Sequence, residues 1–190
     1  MAKQAAGELF QVKVTLAGVR PAVWRRLLVS SDDSLRRFHD ILQVALGWTD
    51  SHLHMFDFGT ERYGYPDPDG DIDWIKDDAR VQLGSMLVAV KDSLIYDYDF
   101  GDSWSHKIVL EKIVAEPGEL VAPTCLGGAR ACPPEDCGGV GGYVEFLRAI
   151  NDPLHPDHAE LVEWIGGEFD PEQFDVEAVN LELLKLPRGR

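Results

Sequence analysis

The stretch LFQVKVTLA at residues 9–17 sets Phe10, Val12 and Val14 against Gln11, Lys13 and Thr15. A period of two places the apolar set on one face, which is the mark of a half-buried strand. Gly18 and Pro21 bracket a turn, and the β-rich VWRRLLVS (23–30) reads as the return strand of a hairpin. In the segment that follows, Leu35, Phe38, Ile41, Leu42 and Ala45 recur at helical spacing. Asp32 or Asp33 suits the start of that helix and Gly47 its stop, giving a helix over 33–46. HLHMFDFG (52–59) reads as another strand. A hairpin covered by one helix is a compact α+β solution, and this ββαβ start is similar to that of a β-grasp fold.

Further along, residues 60–80 read as loop and 81–90 as a short helix or an edge segment. SLIYDYDF (93–100) and WSHKIVLEKIVA (104–115) form a second hairpin through GDS. The Pro- and Gly-rich CLGGARACPPEDCGG reads as a stiffened bend that launches a helix over 142–152. Two more helices are predicted, one over 156–166 opened by Pro156 and one following Pro171. The expectation is a single α+β domain over 1–190. A mixed or antiparallel sheet of two hairpins plus one strand lies within a 9–126 core, and 140–187 form a helical subregion.

With 190 residues, 45% of them hydrophobic, the chain is long and apolar enough to bury a core. No apolar run approaches the roughly 18 residues that cross a bilayer, and MAKQAAGELF lacks the apolar centre of a signal peptide. Three cysteines, an odd number, fit a reducing compartment. These features predict a cytoplasmic protein without a membrane partner.

The formal net charge is −15. Residues 1–40 hold seven Lys or Arg against four Asp or Glu, so their +3 leaves −18 on the remainder. Such an acidic protein repels phosphate backbones, and sequence-independent DNA binding is disfavoured. The basic strip 20–37 keeps a DNA-binding accessory role as a trailing alternative.

Candidate chemistry is sparse. Cys125, Cys132 and Cys137 lack the two-residue pair spacing of structural zinc. GGVGG (138–142) precedes a helix but has no following lysine, and Glu135 and Asp136 would oppose a phosphate. DPDGDID (67–73) resembles a calcium loop, with Asp78 at its twelfth position, yet Ile72 stands where glycine is required. His52 and His54, two apart on a strand, share a face and offer a two-ligand arm for a metal. His106 with Asp99 or Asp102 would complete a metal-dependent hydrolase. There is no Gly-x-Ser-x-Gly elbow.

VTLAGVRPAVWRRLLV, LGWTDSHLHMFDF, YDYDFGDSWSHKIVLEKI, CLGGARACPPEDCGG and NDPLHPDHAELVEWIGGEFDPEQFD occur in this order over about residues 9–180. Together they resemble the Ri-plasmid ORF-three-like family, also labelled TnpR passenger proteins of insertion elements. The resemblance implies a fold and a plasmid or mobile-element context rather than a mechanism. A resolvase reading fails on charge, because a serine recombinase needs an N-terminal Ser among arginines and a basic helix-turn-helix. The matching segments single out Trp48, Asp50, Asp99, Asp102, Trp104, Glu135 and Asp136 as an acidic, aromatic-lined groove, with His52, His54 and His106 as metal candidates. The leading expectation is therefore a non-enzymatic binding or regulatory protein that recognises a protein or basic peptide. It needs no cofactor, and a divalent metal is the alternative.

Overall fold

The computed structural model describes residues 8–66, 74–114 and 122–187. The calcium-like segment 67–73 lies outside the described residues. Period-two patterning forms the first hairpin as expected. Strand β1 (Leu9–Leu16) runs antiparallel to β2 (Trp24–Ser30), with Leu9 opposite Ser30 and Thr15 opposite Trp24. Phe10, Val12, Val14 and Leu16 from β1 and Leu27 and Val29 from β2 face the core. On the same face, at a position the alternation assigns to the interior, stands Arg25, only 3% exposed.

Helix α1 (Leu35–Leu46) lays Leu35, Phe38, Ile41, Leu42 and Ala45 into that core. Its cap is Ser34, whose hydroxyl accepts from the Arg37 amide, and not Asp32 or Asp33. Asp33 is occupied one step earlier, accepting from the Ser30 amide at 3.1 Å. Gly47 ends the helix at φ 87°, a left-handed conformation that favours glycine.

Residues 60–80 are more ordered than their composition suggests. β3 (His54–Phe58) turns at Gly59 into β4 (Glu61–Gly64), and β5 (Ile75–Asp77) pairs with β4 in parallel. A single 3-10 turn (Asp78–Arg80) and the short helix α2 (Leu83–Met86) follow. Strands of three and four residues are too brief to show a period, so their polar sequence reads as loop. The second hairpin is as predicted: β6 (Ser93–Tyr98) and β7 (Trp104–Val114) run antiparallel, with Tyr98 opposite Trp104.

The start of the cysteine-rich bend is instead a strand, β8 (Thr124–Ala129), paired with β2. The sheet is eight-stranded, mostly antiparallel, in the order β5-β4-β3-β6-β7-β1-β2-β8. After β8 come α3 (Gly139–Asn151), α4 (His158–Ile165) and α5 (Val176–Leu183). Asp175, not Pro171, opens α5, accepting from the amides of Glu177 and Ala178. Helix α5 closes the β8 edge. The Asn180 amide accepts from Cys125 N at 2.7 Å and donates to Cys125 O at 3.0 Å, as a neighbouring strand would. One buried apolar cluster runs from Phe10 of β1 to Leu183 of α5.

The basic strip does not form a continuous basic face. Arg25 is buried, Arg26 pairs with Glu111 at 2.6 Å, and Arg36 pairs with the buried Asp78. Alternation along β2 sends Arg25 and Arg26 to opposite faces of the sheet. Among the described residues no helix is long and apolar enough to cross a membrane.

Candidate functional site

Three turns far apart in sequence meet at one end of the sheet. The first, Trp48–Asp50, leaves α1; the second joins β6 to β7; the third, Pro133–Gly138, precedes α3. The Trp48 indole donates to Pro133 O at 2.9 Å. Glu135 ties all three turns together. Its carboxylate accepts from Thr49 N at 3.1 Å, from Thr49 Oγ1 at 2.5 Å and from the Tyr98 hydroxyl at 2.5 Å. The same Tyr98 oxygen accepts from the Ser51 amide at 3.0 Å. Burial alone would raise the Glu135 carboxyl, but the Thr49 and Tyr98 donors outweigh it and hold it below the usual carboxylate range. Burial, and then the neighbouring Glu135 charge, push the Tyr98 phenol above its ordinary value.

Glycine permits the third turn to come this close. Gly139 has φ 67°, and a Cβ there would stand 2.5 Å from Asp102 O. Asp102 in turn accepts from the Gly138 amide at 3.0 Å. The GGVGG segment is thus a close-packed helix start rather than a bend before one: Gly138 caps α3 at φ 89° and residues 139–142 form its first turn, three residues ahead of the expected start at 142. Glu135→Gln is expected to cost about 1.5–3 kcal/mol, the range for hydrogen bonds to a charged group. It should also return the Tyr98 phenol toward its normal range. Denaturant melts and an ultraviolet pH titration of the tyrosines read the two effects; unchanged values for both would deny Glu135 its tying role.

The candidate residues divide into three groups. Glu135, Asp102 and Asp50 are engaged in bracing turns, Asp50 through the His39 imidazole at 2.8 Å and Gln43, which accepts from its amide. Trp48 and Trp104 are 7% and 0% exposed, with ring centroids 6.3 Å apart. They are core, not groove walls, because Trp104 sits on the inward face of β7 and Trp48 folds down over it. His52, Asp99 and Asp136 form the third group, with one ligand atom from each lying within 4.8 Å of the others. His52 Nε2 is 3.2 Å from Asp136 Oδ1 and 3.7 Å from Asp99 Oδ2.

The three imidazoles expected to share a metal stand apart. β3 begins at His54, so His52 lies before the strand and is not held to the same face. His54 is buried, stacked on His39 at 3.6 Å and bonded to Asp78 Oδ2 at 2.7 Å. His106 is fully buried, with Nδ1 donating to the Tyr96 carbonyl at 3.2 Å, and burial pushes it down to about 4. The cysteines are free thiols. Burial raises Cys132 to about 11, and burial together with Asp102 raises Cys137 to about 12, so neither is a ready nucleophile.

An acidic, aromatic-lined cavity of about 370 Å³ is present, but beside the three turns rather than between them. Asp136 and Cys137 form one rim; Gly142, Glu145 and Phe146 of α3 and Glu160, Leu161 and Trp164 of α4 supply the rest. Trp164 is 46% exposed and meets the buried Phe146 edge-on at 5.7 Å. Sequence reading placed Glu145, Phe146, Glu160 and Trp164 on helices but had no means of pairing α3 with α4. Thr49 and Tyr98 were missed as well, since neither spacing nor composition distinguishes a hydroxyl that holds a remote carboxylate.

The chain matches the family model described as plasmid pRiA4b ORF-3-like protein over residues 8–178. It is 41% identical over 181 residues to an uncharacterized protein, y4hQ, of Sinorhizobium fredii, an alignment covering 92% of this chain and 87% of that one. In structure it is similar to the crystal structure of MM3350, a protein of unknown function from Methanosarcina mazei Go1. The TM-score is 0.79 at 32% identity, covering 91% of this chain and 98% of the other. With nearly its whole described length matched in sequence and in fold, the chain belongs to the plasmid pRiA4b ORF-3-like family.

Proposed function

We propose that this is a non-enzymatic binding protein that takes a lysine- or arginine-bearing peptide segment in the cavity between α3 and α4. The observation that carries the reading is the pairing of acidic rim and apolar wall. Asp136, Glu145 and Glu160 surround Phe146, Leu161 and Trp164 in a space of about 370 Å³. That volume lies in the range of sites that enclose a side chain or small ligand, roughly 300–1,000 Å³. Carboxylates attract a cationic head, and an exposed indole adds cation–π attraction while the walls cover its methylene stem. Glu145 is partly neutralised by Arg148 at 3.5 Å, and His155 Nε2 lies 3.3 Å from it. Glu160 has no ion-pair partner among the described residues, which makes it the stronger anchor. The net charge of −15 steers cations toward the molecule and weakens with salt.

The test is calorimetric titration with a Lys/Arg-rich peptide and with an acidic peptide of equal length. The basic peptide is expected to bind, more weakly as salt rises, and Trp164→Ala with Glu160→Gln is expected to weaken it by about ten-fold or more. Absence of binding by the basic peptide, or an affinity indifferent to both substitutions, would remove the reading.

A further inference from the structure

The geometry points to a divalent-cation site formed by His52 Nε2, Asp99 Oδ2 and Asp136 Oδ1, at the edge of the α3–α4 cavity, with which it shares Asp136. Asp99 is the fixed member. Its side chain is 8% exposed, and its Oδ1 is already spent on the amides of Gly101 at 2.9 Å and Asp102 at 3.3 Å. Oδ2 accepts no hydrogen bond among the described residues and faces His52. The buried carboxylate is therefore oriented by one oxygen and presents the other.

His52 is held just as firmly. Its ring packs edge-on against Tyr98 at 5.9 Å, and its backbone amide donates to the Tyr98 hydroxyl at 3.3 Å. Its Nε2 is buried and makes no hydrogen bond, although Asp136 Oδ1 is only 3.2 Å away. Proximity without alignment is poor geometry for an imidazole–carboxylate hydrogen bond. A nitrogen left unpaired within 3.2 and 3.7 Å of two carboxylate oxygens is free to serve as a ligand atom. The separations fit an ion between them. Ligand bonds of about 2.1 Å in a tetrahedral shell place neighbouring donors about 3.4 Å apart, and the His52 contacts of 3.2 and 3.7 Å bracket that value.

One imidazole and two carboxylates give a donor set of one nitrogen and two oxygens, suited to Zn²⁺ or Mn²⁺ rather than to a soft thiophilic ion. Two negative charges balance a dication. Asp136, with its side chain 68% exposed, leaves a path for entry and open positions for water. Tyr98 and Glu135 form the support behind the ligands: Glu135 anchors the turn that carries Asp136, and Tyr98 positions His52. The competing arrangement is a plain ion pair between protonated His52 and the two aspartates, and it predicts no metal affinity.

The experiment uses the full chain, stripped with chelator, dialysed, and titrated separately with Zn²⁺ and Mn²⁺ by calorimetry, with Co²⁺ absorbance as a second readout. One ion per chain is expected for at least one metal. His52→Ala and Asp136→Asn should each weaken binding by more than about ten-fold, while the remote His155→Ala leaves it unchanged. Asp136 is exposed, so its substitution keeps the test valid if the His52 variant folds poorly. No stoichiometric binding of either ion, or binding that survives both substitutions, overturns the site. Asp136 is common to both sites, so the peptide titration is made on the stripped protein with Asp136 intact, where binding of the basic peptide stands or falls whatever the metal titration gives.

Discussion

Arg25→Ala is expected to destabilise the protein by about 3–5 kcal/mol, measured as a lowered denaturant midpoint at unchanged slope. The buried guanidinium has no carboxylate partner among the described residues. It is held by carbonyls instead: Nε donates to Ala45 O at 2.7 Å, and Nη1 to Trp24 O at 2.9 Å and Ala129 O at 3.1 Å. Nη2 approaches Cys132 Sγ at 3.7 Å, and the guanidinium lies 4.3 Å from the Phe174 ring centroid. Ala45 is in the last turn of α1, where the helix dipole presents partial negative charge to the cation. One side chain therefore joins α1, the β2–β8 pair and the chain leading to α5. Alanine leaves several buried carbonyls unpaired and a cavity behind them. Arg25→Lys should recover little, because an ammonium cannot span three carbonyls in separate directions. A loss below about 1 kcal/mol for Arg25→Ala would mean that these carbonyls find other partners.

The second large effect is acid sensitivity. Burial, and then the neighbouring His54, lower His39 from 6.5 to about 4; burial lowers His106 by a similar amount, also to about 4. Both are kept neutral in the fold, while the unfolded chain binds their protons near 6.5. Their stabilising contribution is complete above pH 6.5 and is lost as pH falls toward 4. Each imidazole removes up to about 1.4 kcal/mol per pH unit in that window. Together they subtract several kcal/mol from a typical total of about 5–15 kcal/mol, so unfolding is expected before pH 4 is reached. Asp33 and Asp40, whose carboxyls burial pushes up, oppose this only weakly at the acid end. Denaturation at a series of pH values should give a slope approaching two protons taken up on unfolding. His106→Gln should reduce it by about one proton, whatever it does to stability at neutral pH. A slope unchanged in that variant would show that His106 is not a proton-linked group.

These two predictions rest on residues of different legibility. The composition of 23–30 made it a return strand, but in VWRRLLVS nothing says that the core retains an arginine or that backbone carbonyls would receive it. The alternation along WSHKIVL puts His106 on the same face as Trp104, Ile108 and Leu110. That face is the sealed interior, so the histidine was legible as a position and illegible as a role. His52 and His54 show the converse. Spacing of two implied a shared face, and the start of β3 at His54 released His52 to a different environment. The short β4 and β5 and the glycine-bearing β8 escaped notice because pairing, not local preference, makes them strands.

The sequence by itself determined the two hairpins, α1 and its glycine stop, and the helical C-terminal region, because each follows from apolar residues repeating at the period of its own element. The family resemblance also singled out the segments 48–54, 99–106 and 132–137 as candidates to meet. Only the tertiary structure decided that Glu135 ties those turns together, that Trp48 and Trp104 are core, and that the acidic cavity lies between α3 and α4 beside Asp136. The reason is physical: a period reports which side of an element is buried, whereas a site depends on which distant elements bring polar atoms within about 3 Å of one another.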